Sequence, residues 1–194
     1  GIHVVDPRVL AKIPAGSFYS IVDAYQQLLD DGERLVAHLP ADLYWRDIGT
    51  PEQYRLTACE QLAPLAFNRA FGHTETAVTQ IKRTPLAGDG SDRRWYRLTA
   101  GSHRLVVADH GLDDQGQPSE SAAFTAIGRH LHSKGIAVPR IYLAEPFSGL
   151  VFCEDLGDVN LQSLVIGGAT AMPPGEVEAV YQQVIDRLLT LGIQ

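Results

Sequence analysis

The segment GDGSDRRWYRL, residues 88–98, joins a glycine-rich turn to a strand-like run that carries three arginines. Glycine reaches the backbone angles that a tight turn needs and leaves no side chain in the way, so the N–H groups of such a turn can surround a phosphate. The candidate phosphate-binding loop is formed by Gly88, Asp89, Gly90, Ser91 and Asp92. An Asp-Gly pair is also typical of an ordinary hairpin turn, and that alternative stays open here.

Phosphate chemistry also requires a cation. The strand predicted at 104–109, RLVVAD, carries no lysine, and an uncharged side chain cannot neutralise phosphate oxygens. The candidates are therefore Arg93, Arg94 and Arg97. Alternation along a strand sends Arg93 and Arg94 to opposite faces, so only some of the three can face a nucleotide. We select Arg93, against the alternative that it is a solvated surface arginine.

A second candidate site lies in YWRDIGTPEQY, residues 44–54. Asp47 lies at the end of a predicted strand, just before a glycine and the N-terminus of a helix. A carboxylate in that position could bind Mg²⁺ beside a phosphate that is held by the helix N-terminus. The alternative is an aspartate that caps the turn.

Composition narrows the class of protein. The chain has 194 residues, 45% of them hydrophobic and 20% charged, and a formal net charge of -7. Enough apolar side chains are present for a folded core, while the acidic balance argues against nucleic acid or an anionic membrane as partner. Cys59 and Cys153 have no metal-ligand spacing, which indicates buried thiols in a reducing cytoplasm. We expect a cytoplasmic protein that acts on small molecules.

The chain opens at Gly1 inside a strand-like run, so we interpret it as a piece of a longer protein.

Hydrophobic periodicity predicts the elements that would position these residues. In the first part of the chain we expect strands at 2–5, 34–39 and 43–48, a helix at 21–29, and a helical stretch at 51–71 that Pro64 breaks in two. In the second part we expect three antiparallel strands at 76–83, 93–98 and 104–109, a helix at 120–134, strands at 140–143 and 150–153, and a final helix at 176–191. We place a domain boundary near Glu60.

The first part of the chain resembles a known family. The segments GIHVVDPRVL, FYSIVDAYQQLLDDGERLVAHL and YWRDIGTPEQY, within residues 1–58, are similar to the C-terminal part of the sugar-1-phosphate nucleotidyltransferases. The resemblance implies that Asp47 helps to hold a catalytic Mg²⁺ and that Gly1 lines the sugar site. The family's phosphate-binding loop belongs to an N-terminal half with no counterpart in these residues, so residues 1–58 alone are not expected to catalyse nucleotidyl transfer.

The remainder resembles a different family. The blocks LAGDGSDRRWYRL, ESAAFTAIGRHLHSKGIAVPRIY and GLVFCEDLGD are similar to the N-lobe of aminoglycoside-phosphotransferase-like kinases, most closely the branch that phosphorylates N-acetylmuramate and N-acetylglucosamine at the anomeric carbon. The resemblance implies that residues 88–92 cover the phosphates of ATP. It also implies that Glu120 opens the helix that, together with the third strand of the lobe, supplies a charge pair. It also implies that Glu154, Asp155 and Leu156 form a hinge whose backbone contacts adenine. The family's catalytic aspartate and magnesium ligand belong to a C-lobe, so no catalytic residue is expected within this chain.

Together these resemblances predict an α+β fold. Residues 1–59 would be the C-terminal fragment of a Rossmann-like nucleotidyltransferase, and 60–158 a protein-kinase-like N-lobe with an antiparallel sheet plus a helix. Residues 159–194 would be the start of a C-lobe, with its first helix. The intact protein would use ATP and Mg²⁺ to phosphorylate an amino sugar, and would convert the sugar-1-phosphate to a nucleotide sugar. The chain alone is expected to be inactive. The alternatives are a non-catalytic nucleotide-binding module and a phosphotransferase for an aminoglycoside or another small alcohol.

Overall fold

The computed structural model describes residues 2–41, 43–72, 80–87, 90, 93–112, 119–166 and 172–193. Contacts within the chain divide it into two compact units, Gly1–Trp45 and Arg46–Gln194. The fold is α+β, and the second unit contains a five-stranded antiparallel sheet.

The first unit consists of a 3-10 helix, Pro7–Lys12, and the helix α1, Ile21–Asp30. The carboxylate of Asp6 accepts the N–H of Arg8 before the 3-10 helix, and the Ser20 hydroxyl accepts the N–H of Val22 at the start of α1. These side chains satisfy backbone donors that the first turn leaves unpaired. The small core of this unit consists of Val9, Ala24 and Leu28. The helix predicted at 21–29 is confirmed.

The strands predicted at 2–5, 34–39 and 43–48 were wrong, because no described residue of these segments belongs to a strand. A strand is stabilised by hydrogen bonds and side-chain pairs with a neighbouring strand, and an alternating pattern cannot supply that neighbour. The side chains that suggested the pattern are largely in solvent. Ile2, Val4 and Val36 are 98%, 100% and 74% exposed.

The long helix α2, Pro51–Phe71, opens the second unit. Its start is encoded locally, since the side chains of Thr50 and Gln53 form a capping box and Pro51 occupies the first turn. The break predicted at Pro64 was wrong, because the helix continues through that residue. One face of α2 is buried on both sides of Pro64, and this packing offsets the hydrogen bond that proline cannot donate. The buried residues of that face are Cys59, Ala63, Ala66 and Phe67.

The predicted domain boundary near Glu60 falls inside α2, whereas the compact units divide between Trp45 and Arg46. The buried face of α2 belongs to the same core as the sheet, so this helix forms part of the second unit. The boundary between the two family resemblances stays a prediction.

The sheet consists of β1 (Lys82–Pro85), β2 (Arg94–Ala100), β3 (His103–Asp109), β4 (Ile141–Glu145) and β5 (Leu150–Glu154), in the order β1-β2-β3-β5-β4. All neighbouring strands are antiparallel. The predicted three-strand meander is confirmed by the pairing of β1 with β2 and of β2 with β3. Its first strand begins later than predicted, at Lys82, and residues 73–79 lie outside the described part of the chain.

The two faces of the sheet meet different helices. On one face, Leu98, Leu105 and Phe152 pack in a single core with the buried side of α2. On the other face lies α3 (Glu120–Ser133), which contacts β4 and β5 and whose Phe124 meets the ring of Trp95 from β2. Because side chains alternate along a strand, each residue of β2 and β3 belongs either to this α2 face or to this α3 face.

Two further helices follow β5. α4 (Leu161–Ile166) was not predicted, although Asn160 gives a local signal for it, because its carboxamide oxygen accepts the N–H of Ser163. α5 (Pro174–Ile193) confirms the helix predicted at 176–191. No described helix combines the length and the apolar character that crossing a lipid bilayer would require.

Both cysteines are buried free thiols, as the sequence predicted. Burial raises the pKa of Cys59 to about 11 and that of Cys153 to about 12. Both side chains are therefore protonated and poorly nucleophilic near neutral pH.

We expect the core between α2 and the sheet to depend on Phe67, whose side chain is completely buried. Phe67→Ala should lower the free energy of unfolding by about 3–5 kcal/mol, because it removes buried apolar surface and leaves a cavity. Leu65→Ala is the matched control on the same helix, since Leu65 is 53% exposed, and its effect should be about 1 kcal/mol or less. Urea unfolding of both variants checks this. Equal losses would contradict the assignment of the buried face.

Candidate functional site

The link between β1 and β2 contains the predicted phosphate-binding loop. The N–H of Leu86 donates to the carbonyl of Trp95 at 2.8 Å, which closes the hairpin below the loop. Gly90 has φ +86°, a backbone conformation that favours glycine. Gly88, Asp89, Ser91 and Asp92 lie outside the described residues, as does Gly1. Their predicted roles stay predictions.

Two predicted site residues from distant parts of the sequence form an ion pair. Arg93 leaves the loop just before β2, and Glu120 is the first residue of α3. The distance from Arg93 Nη1 to Glu120 Oε1 is 3.5 Å. The guanidinium also lies over the rings of Trp95 and Phe124, 5.7 and 6.0 Å from their centroids. The pair links the loop to the N-terminus of α3 on the α3 face of the sheet.

His110, the residue after β3, lies beside this ion pair and was not identified from the sequence. Arg93, Glu120 and His110 are here called the cluster on the α3 face. Its Nδ1 lies 3.7 Å from Glu120 Oε1, and its side chain is only 2% exposed. The ring packs against Phe124 at 5.3 Å, and neither ring nitrogen has a hydrogen-bond partner among the residues that the structure describes. Burial lowers the pKa of His110 below 6.5, while the Glu120 carboxylate opposes that shift. The imidazole is therefore neutral at physiological pH.

The position of His110 is fixed by a close approach of two turns. The N–H of His110 donates to the carbonyl of Gly149, in the turn between β4 and β5, at 3.0 Å. Gly149 has φ +65°, and a Cβ at this position would lie 1.9 Å from the carbonyl oxygen of Gly111. Only glycine can occupy position 149 without moving one of the two turns. The chain direction after β3, and with it His110, depends on that contact.

Arg94 lies on the opposite face, as strand alternation predicts. It pairs with Glu52 of α2 at 3.4 Å. On the same side Arg55 of α2 lies 3.6 Å from Asp109, whose carboxylate also accepts the N–H of Gly111 at 3.1 Å. The negative charge of Asp109 is therefore compensated by Arg55 of α2. This arrangement separates the acidic end of β3 from the cluster on the α3 face.

The segment that follows β5, residues 154–158, is here called the acidic segment. Arg97 of β2 donates to both carboxylate oxygens of Asp155, at 2.6 and 3.0 Å, and to both oxygens of Asp158, at 3.0 and 2.8 Å. The hydrogen bonds from Arg97 hold the pKa of Asp155 below its usual value, and the same contacts raise the pKa of Arg97. The Asp155 side chain is engaged within the protein, so only its backbone is available to a ligand in this arrangement.

The two other predicted residues of this segment are placed differently. Glu154 ends β5, and its carboxylate accepts the N–H of Arg140 at 3.2 Å, while its own N–H donates to the carbonyl of Arg140 at 2.9 Å. Leu156 is 67% exposed. The acidic segment therefore leaves the sheet anchored at Glu154 and again at Asp155.

Asp47 stands apart from this cluster in the described structure. Its Oδ1 accepts the N–H of Gly49 at 3.1 Å, directly before the capping box of α2. This contact matches the turn-capping alternative and leaves the second carboxylate oxygen for another role. Among the described residues, no three His, Cys, Asp or Glu side chains lie together in a way that could hold a metal ion. One carboxylate is a partial site for Mg²⁺, which prefers several oxygen ligands.

No protein-family model matches the chain. In a comparison with curated proteins, the chain is similar to an N-acetylmuramate/N-acetylglucosamine kinase from Caulobacter vibrioides, with 26% identity over 159 residues. The match covers 70% of this chain and 41% of that kinase, so the chain spans less than half of its relative's length. The similarity supports the kinase resemblance of the sequence. The five-stranded antiparallel sheet with α3 on one face is compatible with a kinase-like N-lobe.

We expect the burial of His110 to make the second unit less stable in acid. The folded state holds a neutral imidazole with a pKa below 6.5, so the unfolded chain binds more protons and stability falls as the pH drops below 6.5. Thermal unfolding at pH 7.5 and 5.5 should show a smaller acid-induced fall in Tm for His110→Gln than for the unmodified chain. His130→Gln, at an exposed histidine of α3, is the control and should keep the full difference. An unchanged difference in His110→Gln would contradict the argument.

Proposed function

We propose that the second unit is the nucleotide-binding lobe of an ATP-dependent phosphotransferase that acts on an amino sugar. The observation that carries the proposal is the Arg93–Glu120 ion pair, which joins a glycine-containing loop to the N-terminus of α3. The strand order and the similarity to an N-acetylmuramate/N-acetylglucosamine kinase support it.

Arg93 supplies the positive charge that a lysine-free β3 lacks. A guanidinium is always charged and can donate two parallel hydrogen bonds to phosphate oxygens. Glu120 keeps Arg93 oriented until a nucleotide binds, and the rings of Trp95 and Phe124 limit the positions that the guanidinium can take. In phosphoryl transfer, catalysis depends on such positioning and on charge stabilisation.

The backbone of Glu154, Asp155 and Leu156 would bind the adenine base of ATP, and loop residues 88–92 would cover its phosphates. Mg²⁺ would neutralise charge on the transferred phosphate when bound. Among the described residues, Glu120 is the carboxylate that pairs with Arg93, and this ion pair occupies it. The metal ligands and the catalytic base are therefore assigned to a C-lobe, as the family resemblance implies. The acceptor sugar would be phosphorylated at its anomeric carbon.

We further propose that residues 1–59 belong to a sugar-1-phosphate nucleotidyltransferase, which would make the intact protein bifunctional. The support is the sequence resemblance of this part and the location of Asp47 beside the N-terminus of α2. The two activities fit together chemically, because a kinase of this kind produces a sugar-1-phosphate and a nucleotidyltransferase consumes one. Asp47 would contribute one oxygen ligand to Mg²⁺, and Gly1 would line the sugar site.

The kinase proposal predicts that Arg93 is required and Arg94 is not. With the full-length gene product, ATP, Mg²⁺ and N-acetylglucosamine or N-acetylmuramate, formation of sugar-1-phosphate is expected. Arg93→Met should lower kcat/KM for ATP on the order of 100-fold, because a positioned charge on the phosphate is lost. Arg94→Met, which removes a neighbouring arginine on the α2 face, should change it by about twofold or less.

Two outcomes would contradict this proposal in different ways. If ATP binds but no sugar phosphate forms, the non-catalytic module is the correct interpretation. If sugar phosphate forms and Arg93→Met is as active as Arg94→Met, the protein is a kinase but Arg93 does not contact the phosphates.

The nucleotidyltransferase proposal has its own test at Asp47. Asp47→Asn should abolish Mg²⁺-dependent formation of nucleotide sugar from sugar-1-phosphate and a nucleoside triphosphate, because it removes a metal-ligand charge. The same variant should leave the kinase rate unchanged. Absence of nucleotide-sugar formation by the unmodified protein, measured by chromatography with each of the common nucleoside triphosphates, would refute this activity.

A further inference from the structure

Arg97 connects β2 to the acidic segment that follows β5, a strand that is not a neighbour of β2 in the sheet. Its partner across β2 and β3 is Val106, and Val106 in turn pairs with Cys153 of β5. To reach the acidic segment beyond β5, the Arg97 side chain therefore passes over β3 on the α3 face. The contact is long-range in the sequence, because Arg97 and Asp155 are 58 positions apart.

The two halves of this contact differ in burial. The side chains of Arg97 and Asp155 are 15% and 5% exposed, whereas that of Asp158 is 72% exposed. A buried carboxylate that loses its cation is left uncompensated, which is much more costly than loss of an exposed pair. Asp155 is therefore the fixed half of the contact and Asp158 the half that solvent can replace.

The Asp155 side chain also fixes the backbone conformation of the acidic segment. Its carboxylate also accepts the N–H of Gly157 at 2.9 Å, and Gly157 has φ +84°. The carboxylate thus closes a local turn while Arg97 holds it against β2. The conformation of residues 155–157 is set by the side chain of Asp155, and its location relative to the sheet is set by Arg97.

We propose that Arg97 is a positioning residue that fixes the acidic segment so that its backbone can hydrogen-bond to the purine base of the nucleotide. This inference rests on the proposed function, because it assigns the base to that segment. Arg97 and the Asp155 carboxylate do not contact the nucleotide in this arrangement. Their role is to hold the backbone of residues 155–156 at a fixed distance from β2 and β3, since the N–H of Glu154 already donates to the carbonyl of Arg140.

The test separates base binding from phosphate binding in the full-length gene product. Calorimetry is performed with ADP and with inorganic tripolyphosphate, which carries phosphates without a base. In Arg97→Met the affinity for ADP should fall about tenfold or more, equivalent to the loss of one or two well-formed hydrogen bonds. The affinity for tripolyphosphate should stay the same. Arg97→Lys should recover part of the ADP affinity, and Asp158→Asn, at the exposed half of the contact, should have the smaller effect.

Arg94→Met is the matched control, since it removes the adjacent arginine of β2 on the α2 face. Equal weakening of both ligands by Arg97→Met would overturn the inference, because it would indicate general loss of structure. Unchanged ADP affinity in Arg97→Met would also overturn it, while the proposed function would stand. If the unmodified protein binds neither ligand, the proposed function fails first and the inference fails with it.

Discussion

Strand alternation in β2 is the constraint on which the arrangement of charges depends. The residues of β2 that face α2 include Leu98, which belongs to the apolar core, so Arg94 on that side must pair with Glu52 at the edge of this core. Arg93 and Arg97 follow the opposite periodicity and meet Glu120 and the acidic segment on the α3 face. A shift of one residue in the pairing of β2 and β3 would exchange these sets and bury the wrong side chains. The apolar core therefore also determines which arginines lie on the α3 face.

On the α3 face, Arg93 and Arg97 each lie against at least one carboxylate. Arg93 lies opposite Glu120, and Arg97 lies between Asp155 and Asp158. His110 adds a titratable group that burial keeps neutral. On such a surface an arginine exchanges a carboxylate partner for a nucleotide phosphate, and the nucleotide does not meet a concentrated positive field. Selectivity can then arise from geometry, because a bidentate guanidinium discriminates by direction as well as by charge.

Most of the second unit could be predicted from local sequence signals. The strands β2, β3 and β5 and the helix α3 have clear periodicity and clear ends, and the meander follows from their order. The strands expected at 34–39 and 43–48 fail because pairing is a property of two segments and a pattern describes only one of them. The break at Pro64 was predicted wrongly for a related reason. The tertiary packing of Ala63 and Phe67 offsets the free-energy cost of a proline inside a helix.

The candidate site was predicted in part. Arg93 was selected from the loop and strand pattern, Glu120 and the acidic segment were proposed from the family resemblance, and the Arg93–Glu120 contact was not predicted. His110 was not predicted as a site residue, because it lies one position beyond the last residue of the predicted strand. The ring faces Glu120 from the first position after β3, where its orientation depends on the turn that follows. The contact of Arg97 with Asp155 joins residues far apart in the sequence, and no local pattern encodes it.

The contact between Gly149 and Gly111 has a mechanical consequence. Backbone atoms of two turns touch there without an intervening side chain that could change rotamer and absorb a displacement. A rigid-body shift at the end of β3 is therefore transmitted directly to the connection between β4 and β5. Any motion that accompanies occupation of the α3 face must carry both connections together.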